Sequence, residues 1–350
     1  MQAKLLLSDG TSLDGISYGY NKSVAGEVVF ATGMTGYPEA LTDPSFKGQI
    51  LIMTYPLVGN YGIPEKKLWE SESIQVSGLI VSNSIDTPSH FQSTMTLAEW
   101  FKKENVPLIE IKDTRFLTKK IREKGVMLGK IIIDKDVPFH DPNTENLVAA
   151  VSPKTVTILE PAYKVKKQKT IVLLDCGAKN NIIRCFLKRG VRVIRTPWNF
   201  DPFVNKQFSF DALFISNGPG DPKMADKTIA TVKKAMEKKI PTLGICLGNQ
   251  ILALAAGGDT YKLKYGHRSQ NQPCTVEKSD RCYITTQNHG FAIGKIPTGF
   301  EPWFINTNDN TIEGIIHKKY PFMSVQFHPE ATPGPKDTEW IFDYFLEKIK

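Results

Sequence analysis

From residue 170 onward the chain alternates short apolar runs with amphipathic stretches, and no other feature narrows its fold as much. Residues 170–174 (TIVLL), 212–215 (ALFI) and 242–245 (TLGI) are apolar throughout, which suits strands buried on both faces. Between the first two, 181–188 carries Ile182, Ile183, Phe186 and Leu187 on one helical face and stops at Gly190, after which 191–194 returns as a strand. The 228–239 segment puts Ile229, Val232 and Met236 inward and Lys233, Lys234, Lys238 and Lys239 outward. Buried strands joined by amphipathic helices predict an α/β domain over 170–350 with a mostly parallel, doubly wound sheet. Ligands of such sheets sit beyond the carboxyl ends of the strands, so chemistry is sought there.

The first 151 residues lack this rhythm. Runs 3–7, 27–30, 49–54 and 74–81 are rich in Val, Ile and Leu between turn residues, and 96–104 spaces Leu97, Trp100 and Phe101 as a helix does. A smaller α+β domain is expected over 1–151; its Gly- and Pro-dense segment 32–62 by itself predicts tight turns. Residues 152–169 concentrate Lys154, Lys164, Lys166, Lys167 and Lys169 against Glu160, in a chain of net charge +8. A solvated basic linker accounts for that run. No aromatic residues interleave with the basic ones on a recognisable scaffold, so no nucleic-acid partner is expected.

The five cysteines form no C-x-x-C pair and no His stands at zinc-motif spacing, so neither a disulfide framework nor a metal is expected. The N-terminus reads as neither signal nor transit peptide, and no apolar run approaches the roughly 18 residues of a membrane span. The expectation is a soluble cytoplasmic protein with no membrane contact.

At the strand ends, Gly244-Ile245-Cys246-Leu247-Gly248 has nucleophile-elbow spacing between a strand and an apolar helix at 249–256. Glycines on both sides permit the sharp turn, and a helix N-terminus favours a thiolate. A thiol nucleophile needs a base and the base an orienting group. An apolar strand at 322–327 is followed by His328-Pro329-Glu330, where period-two geometry would send His328 and Glu330 to one side. His289, in Gln287-Asn288-His289-Gly290-Phe291, is the rival base, and the residues alone leave the choice open. Backbone N–H groups of the Gly/Pro turn 216–222 and of Leu247 are candidates to hold an oxyanion.

Taken together, the elbow GICLGNQ, the turn SNGPGDP and HPE resemble the class I, triad-type glutamine amidotransferases. TGMTGYPEALTDPS, TYPLVGNYG and QNHGF narrow the resemblance to the small subunit of glutamine-dependent carbamoyl-phosphate synthase, in wording closest to eukaryotic forms, which are often fused to the synthase. The resemblance implies that Cys246 attacks the glutamine amide, His328 carries the proton and Glu330 orients His328. It implies glutamine contacts at Ser45, Gly218, Gly220, Leu247, Gln250, Asn288, Gly290 and Phe291, and so a site against the domain boundary. It further implies that ammonia passes to a large synthase subunit or fused domain as required partner. The chain has no phosphate-loop or dinucleotide motif, so no cofactor is expected on it; ATP and a divalent metal are expected on the partner.

Two departures stand out: Asn249 where many relatives carry His, and Ser269 where Gly is frequent. Ammonia-using relatives lack the elbow Cys, which this chain keeps. Rival readings are another thiol enzyme of the same fold, a degenerate scaffold and a redox sensor at Cys246. The first 151 residues argue against the first of these, and retention of Cys246, His328 and Glu330 against the second.

Overall fold

The computed structural model describes residues 1–349 apart from Lys164, Asn205 and Lys206, so Lys164 of the basic run lies outside the described residues. The chain forms two units, Met1–Glu145 and Asn146–Lys350.

The first unit is a closed barrel. Its strands are β1 (Gln2–Leu7), β2 (Ser12–Ser17), β3 (Val24–Ala31), β4 (Gln49–Met53), β5 (Gly78–Val81), β6 (Leu108–Glu110) and β7 (Met127–Ile132), in the order β1-β2-β6-β5-β4-β3-β7. β3 through β6 pair in parallel and the remaining contacts are antiparallel. β1 alternates, with Ala3, Leu5 and Leu7 buried between exposed Gln2 and Lys4. β4 and β5 are buried on both faces, as their unbroken Ile, Leu and Val require. The helices are α1 (Tyr37–Leu41), α2 (Leu97–Lys103) and α3 (Thr114–Lys124). A capping box between Thr96 and Glu99 starts α2, which buries Leu97, Trp100 and Phe101. The strand expected at 74–81 begins only at Gly78, because Gln75 donates its N–H to Leu41 rather than to a strand ladder.

The second unit opens with α4 (Leu147–Val151), so the division falls ahead of the expected boundary at 151. The stretch expected to be a linker contributes β8 (Thr157–Leu159), antiparallel to β10 (Arg192–Pro197) at one edge of a ten-stranded sheet. Its short Thr-Ile-Leu run is enough to complete that edge. The other elements are β9 (Thr170–Asp175), α5 (Asn180–Lys188), β11 (Ala212–Ile215), α6 (Asp226–Glu237), β12 (Thr242–Ile245), α7 (Leu247–Ala255), β13 (Asp259–Val276), β14 (Cys282–Lys295), β15 (Phe300–Asn306), β16 (Ile312–His317), β17 (Phe322–Val325) and α8 (Trp340–Glu347).

Only the five central strands, β10-β9-β11-β12-β17, run parallel; β13 to β16 add an antiparallel half, so the expectation of a mostly parallel sheet holds for the core alone. Alternate residues of β9 feed opposite faces. Ile171 and Leu173 pack with Phe186, Phe342 and Phe345 of α5 and α8, while Val172 and Leu174 pack with Val232, Ile251 and Leu252 of α6 and α7. Truncating a fully buried ring such as Phe186 to Ala would cost about 3–5 kcal/mol. Among the described residues no helix is long and apolar enough to cross a membrane.

Candidate active site

Cys246 joins β12 to α7 in a conformation with φ 55° and ψ −104°, far from the wells that L-residues favour. Close packing on both sides sustains the strain. A Cβ on Gly244 would lie 2.4 Å from the Gly248 carbonyl oxygen, and one on Gly248 only 2.2 Å from that of Ile215. The Cys246 N–H donates to Val325 of β17 at 2.8 Å, and Sγ lies 3.6 Å from the Asn288 carbonyl oxygen. α7 starts at Leu247, so Gly248 is helical rather than ahead of the helix.

β17 ends at Val325, before the expected 327: Gln326 still donates its N–H to the Glu313 carbonyl oxygen of β16 at 2.8 Å, but His328 leaves that ladder and donates to Thr286 of β14 at 2.9 Å. His328 and Glu330 therefore meet through a turn, with Ala331 and Thr332 at φ 55° and 50°, and not through strand periodicity. His328 Nδ1 is 2.7 Å from Glu330 Oε1. Nε2 has no hydrogen-bond partner of good geometry among the described residues, yet Cys246 is close enough to act on the ring's charge. Burial alone would lower the His328 pKa, but the Glu330 carboxylate and Cys246 outweigh it and raise it to about 10. Burial opposes ionisation of Glu330 as well; Lys179 and His328 overcome it and hold the carboxyl at about 2.

Lys179 was not singled out from the sequence. It is 2% exposed, its Nζ 3.0 Å from Glu330 Oε1 and 2.5 Å from the Ala331 carbonyl oxygen. Asp175 shapes the loop that delivers it, accepting from Gly177 and Ala178 N–H through one oxygen and pairing with Arg195 through the other. A lysine between Ala178 and Asn180 carries no local signal of this role; only the fold brings it to residue 330.

Of the expected glutamine contacts, Gln250 donates to the Phe291 carbonyl oxygen at 2.8 Å and to Gln326 at 3.1 Å, and Asn288 borders Cys246. Gly218 faces Leu247: a Cβ there would lie 2.8 Å from Leu247 Cδ2 and 2.2 Å from the Cys176 carbonyl oxygen. Gly220, at φ 81°, packs near Leu147, and Gly290 near Arg268. Ser45 belongs to the first unit, in the short turn Pro44–Phe46 capped by Asp43. His289, the rival base, turns Nδ1 to the Phe291 carbonyl oxygen and Nε2 to Gln287, and burial pushes its pKa well below the ordinary value. It joins His267 and Glu313 in a buried group able to hold a metal, where no metal was expected; cross-strand pairing of residues 267 and 289 creates it. All five cysteines are free, four of them buried.

Residues 172–348 match the family model for class-I glutamine amidotransferases, and residues 5–131 that for the carbamoyl-phosphate synthase small chain, CPSase domain. The chain is 49% identical to the multifunctional protein CAD of Squalus acanthias over 99% of its own length and 16% of that protein's. It is 46% identical to the multifunctional protein URA2 of Saccharomyces cerevisiae, covering 17% of it, and 47% identical to the mitochondrial carbamoyl-phosphate synthase [ammonia] of Mus musculus, covering 24%, each over 99% of this chain. The chain thus spans between about a sixth and a quarter of the length of these relatives.

Proposed function

The chain belongs to the class-I glutamine amidotransferases, with a carbamoyl-phosphate synthase small-chain domain ahead of the amidotransferase domain, and on that premise we propose that it is the glutaminase component of a glutamine-hydrolysing carbamoyl-phosphate synthase. The observation that carries the reading is the charge relay beside the strained elbow. Lys179 keeps buried Glu330 ionised, Glu330 fixes one proton on His328 Nδ1, and the basicity that Glu330 and Cys246 give the ring lets Nε2 hold the proton of Cys246, leaving the sulfur as a thiolate.

The sulfur then attacks the side-chain amide carbon of glutamine. The oxyanion is held by backbone N–H groups at Leu247 and the 216–222 turn, assisted by the α7 dipole. Collapse of the adduct expels ammonia, which takes the proton back from His328 and leaves a γ-glutamyl thioester; water, deprotonated by the same imidazole, releases glutamate. Gly218, Gly220, Gln250, Asn288, Gly290, Phe291 and Ser45 would hold the substrate. The absence of side chains at residues 218 and 220 lets the turn pack directly against Cys176, Leu247 and Leu147, which fixes the backbone N–H groups it offers.

Ammonia would pass to a synthase subunit or fused domain carrying ATP and a divalent metal, which forms carbamoyl phosphate from bicarbonate for pyrimidine or arginine biosynthesis. A passage closed to water would keep it unprotonated. One relative is named for ammonia; the thiol at the elbow favours glutamine as nitrogen donor here. Free, mostly buried cysteines fit a reducing, cytoplasmic setting. The test is acid quenching during turnover of radiolabelled glutamine. Label should stay on the wild-type chain as a base-labile thioester and be absent from Cys246→Ala; label retained by the variant would exclude Cys246 as nucleophile.

A further inference from the structure

On the stretch of β14 that brings Asn288 to Cys246, the next residue turns into a second buried cluster with no part in the chemistry above. His267 and His289 are paired directly across the β13–β14 ladder, with ring centroids 4.9 Å apart at 84°. Glu313, at the start of β16, is fully buried between them, its Oε1 3.4 Å from His267 Nδ1 and 3.8 Å from His289 Nε2. All three donor atoms lie within 4.8 Å of one another.

The proton inventory makes this cluster unusual. His289 Nδ1 faces the Phe291 carbonyl oxygen at 2.9 Å, which only accepts, so the proton of the neutral ring sits there. Nε2 then presents a lone pair to Gln287 Oε1 at 3.1 Å and to Glu313. The Gln287 amide is not free to flip, because its Nε2 donates to Glu313 Oε2 at 3.0 Å. His267 Nε2 pairs with Asp309 Oδ2 at 2.9 Å, and its buried Nδ1 has no hydrogen-bond partner among the described residues. With both rings neutral, lone pairs from His267, His289 and Gln287 face the Glu313 carboxylate, whose own oxygens accept from the Thr311 hydroxyl and the Gln287 amide; a second proton on His267, between Glu313 and Asp309, or a cation would bridge them. Unrelieved, that arrangement is costly in a buried site.

A cation relieves it. Each imidazole already makes the outward bond that metal-bound histidines make, one to a carboxylate and one to a backbone carbonyl, and Glu313 is itself held by Thr311 and Gln287. Two imidazoles and a carboxylate suit zinc-class ions. With bonds of about 2.0–2.1 Å, a tetrahedral ion spaces its donors about 3.3 Å apart, near the 3.4 and 3.8 Å edges to Glu313. We infer that His267, His289 and Glu313 bind one zinc-class divalent cation, with Gln287 Oε1 as a further oxygen donor. The ion ties β13, β14 and β16 together behind the strand that carries Asn288.

The test uses the tag-free full chain, stripped with chelator and titrated with Co2+, then Zn2+. The wild type should take up one Co2+ with the visible absorption of a four-coordinate site and release it to Zn2+. Glu313→Gln and His267→Asn, checked by circular dichroism for folding, should each weaken binding tenfold or more, while Cys246→Ser should bind as the wild type does. A folded wild type that takes up no ion overturns the inference, because an extra proton then fills the cluster. Uptake unaffected by Glu313→Gln, or abolished by Cys246→Ser, overturns it too.

Discussion

Replacing Gly248 by Ala sets two physical rules against each other. In an exposed helix interior the change stabilises by about 1 kcal/mol, through the better helix propensity of Ala. Here the new Cβ would lie 2.2 Å from the Ile215 carbonyl oxygen, 2.9 Å from its carbon and 3.0 Å from its Cβ. The nearest contact falls about 0.8 Å short of the 3.0 Å below which real Cβ atoms are essentially never found. The obstacle is backbone of β11, a central strand, and cannot rotate away, so the start of α7 must move by most of an ångström. Overpacking of this kind costs about 1–3 kcal/mol, which outweighs the propensity gain. The same shift displaces Cys246 from His328 and the Leu247 N–H, and about 1 Å of misplacement costs roughly a hundredfold in rate. Urea unfolding followed by tryptophan fluorescence, together with glutamate release, should show a less stable protein and a turnover reduced by about two orders of magnitude. A variant as active as wild type, or more stable, would refute the argument from close packing.

Three further outcomes follow from the charges and caps. Lys179→Met leaves buried Glu330 with His328 alone to balance its charge and should cost about 1–3 kcal/mol in thermal or urea unfolding. Because the Glu330 pKa is depressed, its stabilising contribution is complete above its unfolded value and is lost as pH falls toward about 2; the variant should begin to lose stability at a higher pH, read from acid unfolding. His328 is shifted the other way, so its contribution is complete below its ordinary 6.5 and declines as pH rises toward about 10; that decline should shrink in Glu330→Gln. Thr96→Ala removes the α2 capping box and should cost about 1 kcal/mol while leaving glutamate release unchanged; a drop in turnover would contradict the assignment of Thr96 to structure alone.

What could be read from residues alone was local. The apolar runs at 170–174, 212–215 and 242–245 are strands β9, β11 and β12, because a wholly apolar run has no other home than a doubly covered sheet. The elbow was legible because its two glycines answer a steric need within five residues. The antiparallel half was not: β13 and β14 run 18 and 14 residues through register shifts that break the period-two signal. Closure of the barrel rests on β1 meeting β7 across more than a hundred residues, which no local pattern announces. Lys179 and the His267–His289–Glu313 cluster stayed hidden for the same reason, since long-range pairing makes each of them.

The most direct measurement is glutamate release from glutamine, with and without a carbamoyl-phosphate synthase large partner, for wild type and Cys246→Ser. The account predicts slow wild-type turnover that the partner raises sharply, none in the variant, and ammonia-dependent carbamoyl phosphate synthesis that survives the substitution. Turnover indifferent to both the partner and Cys246 would contradict it.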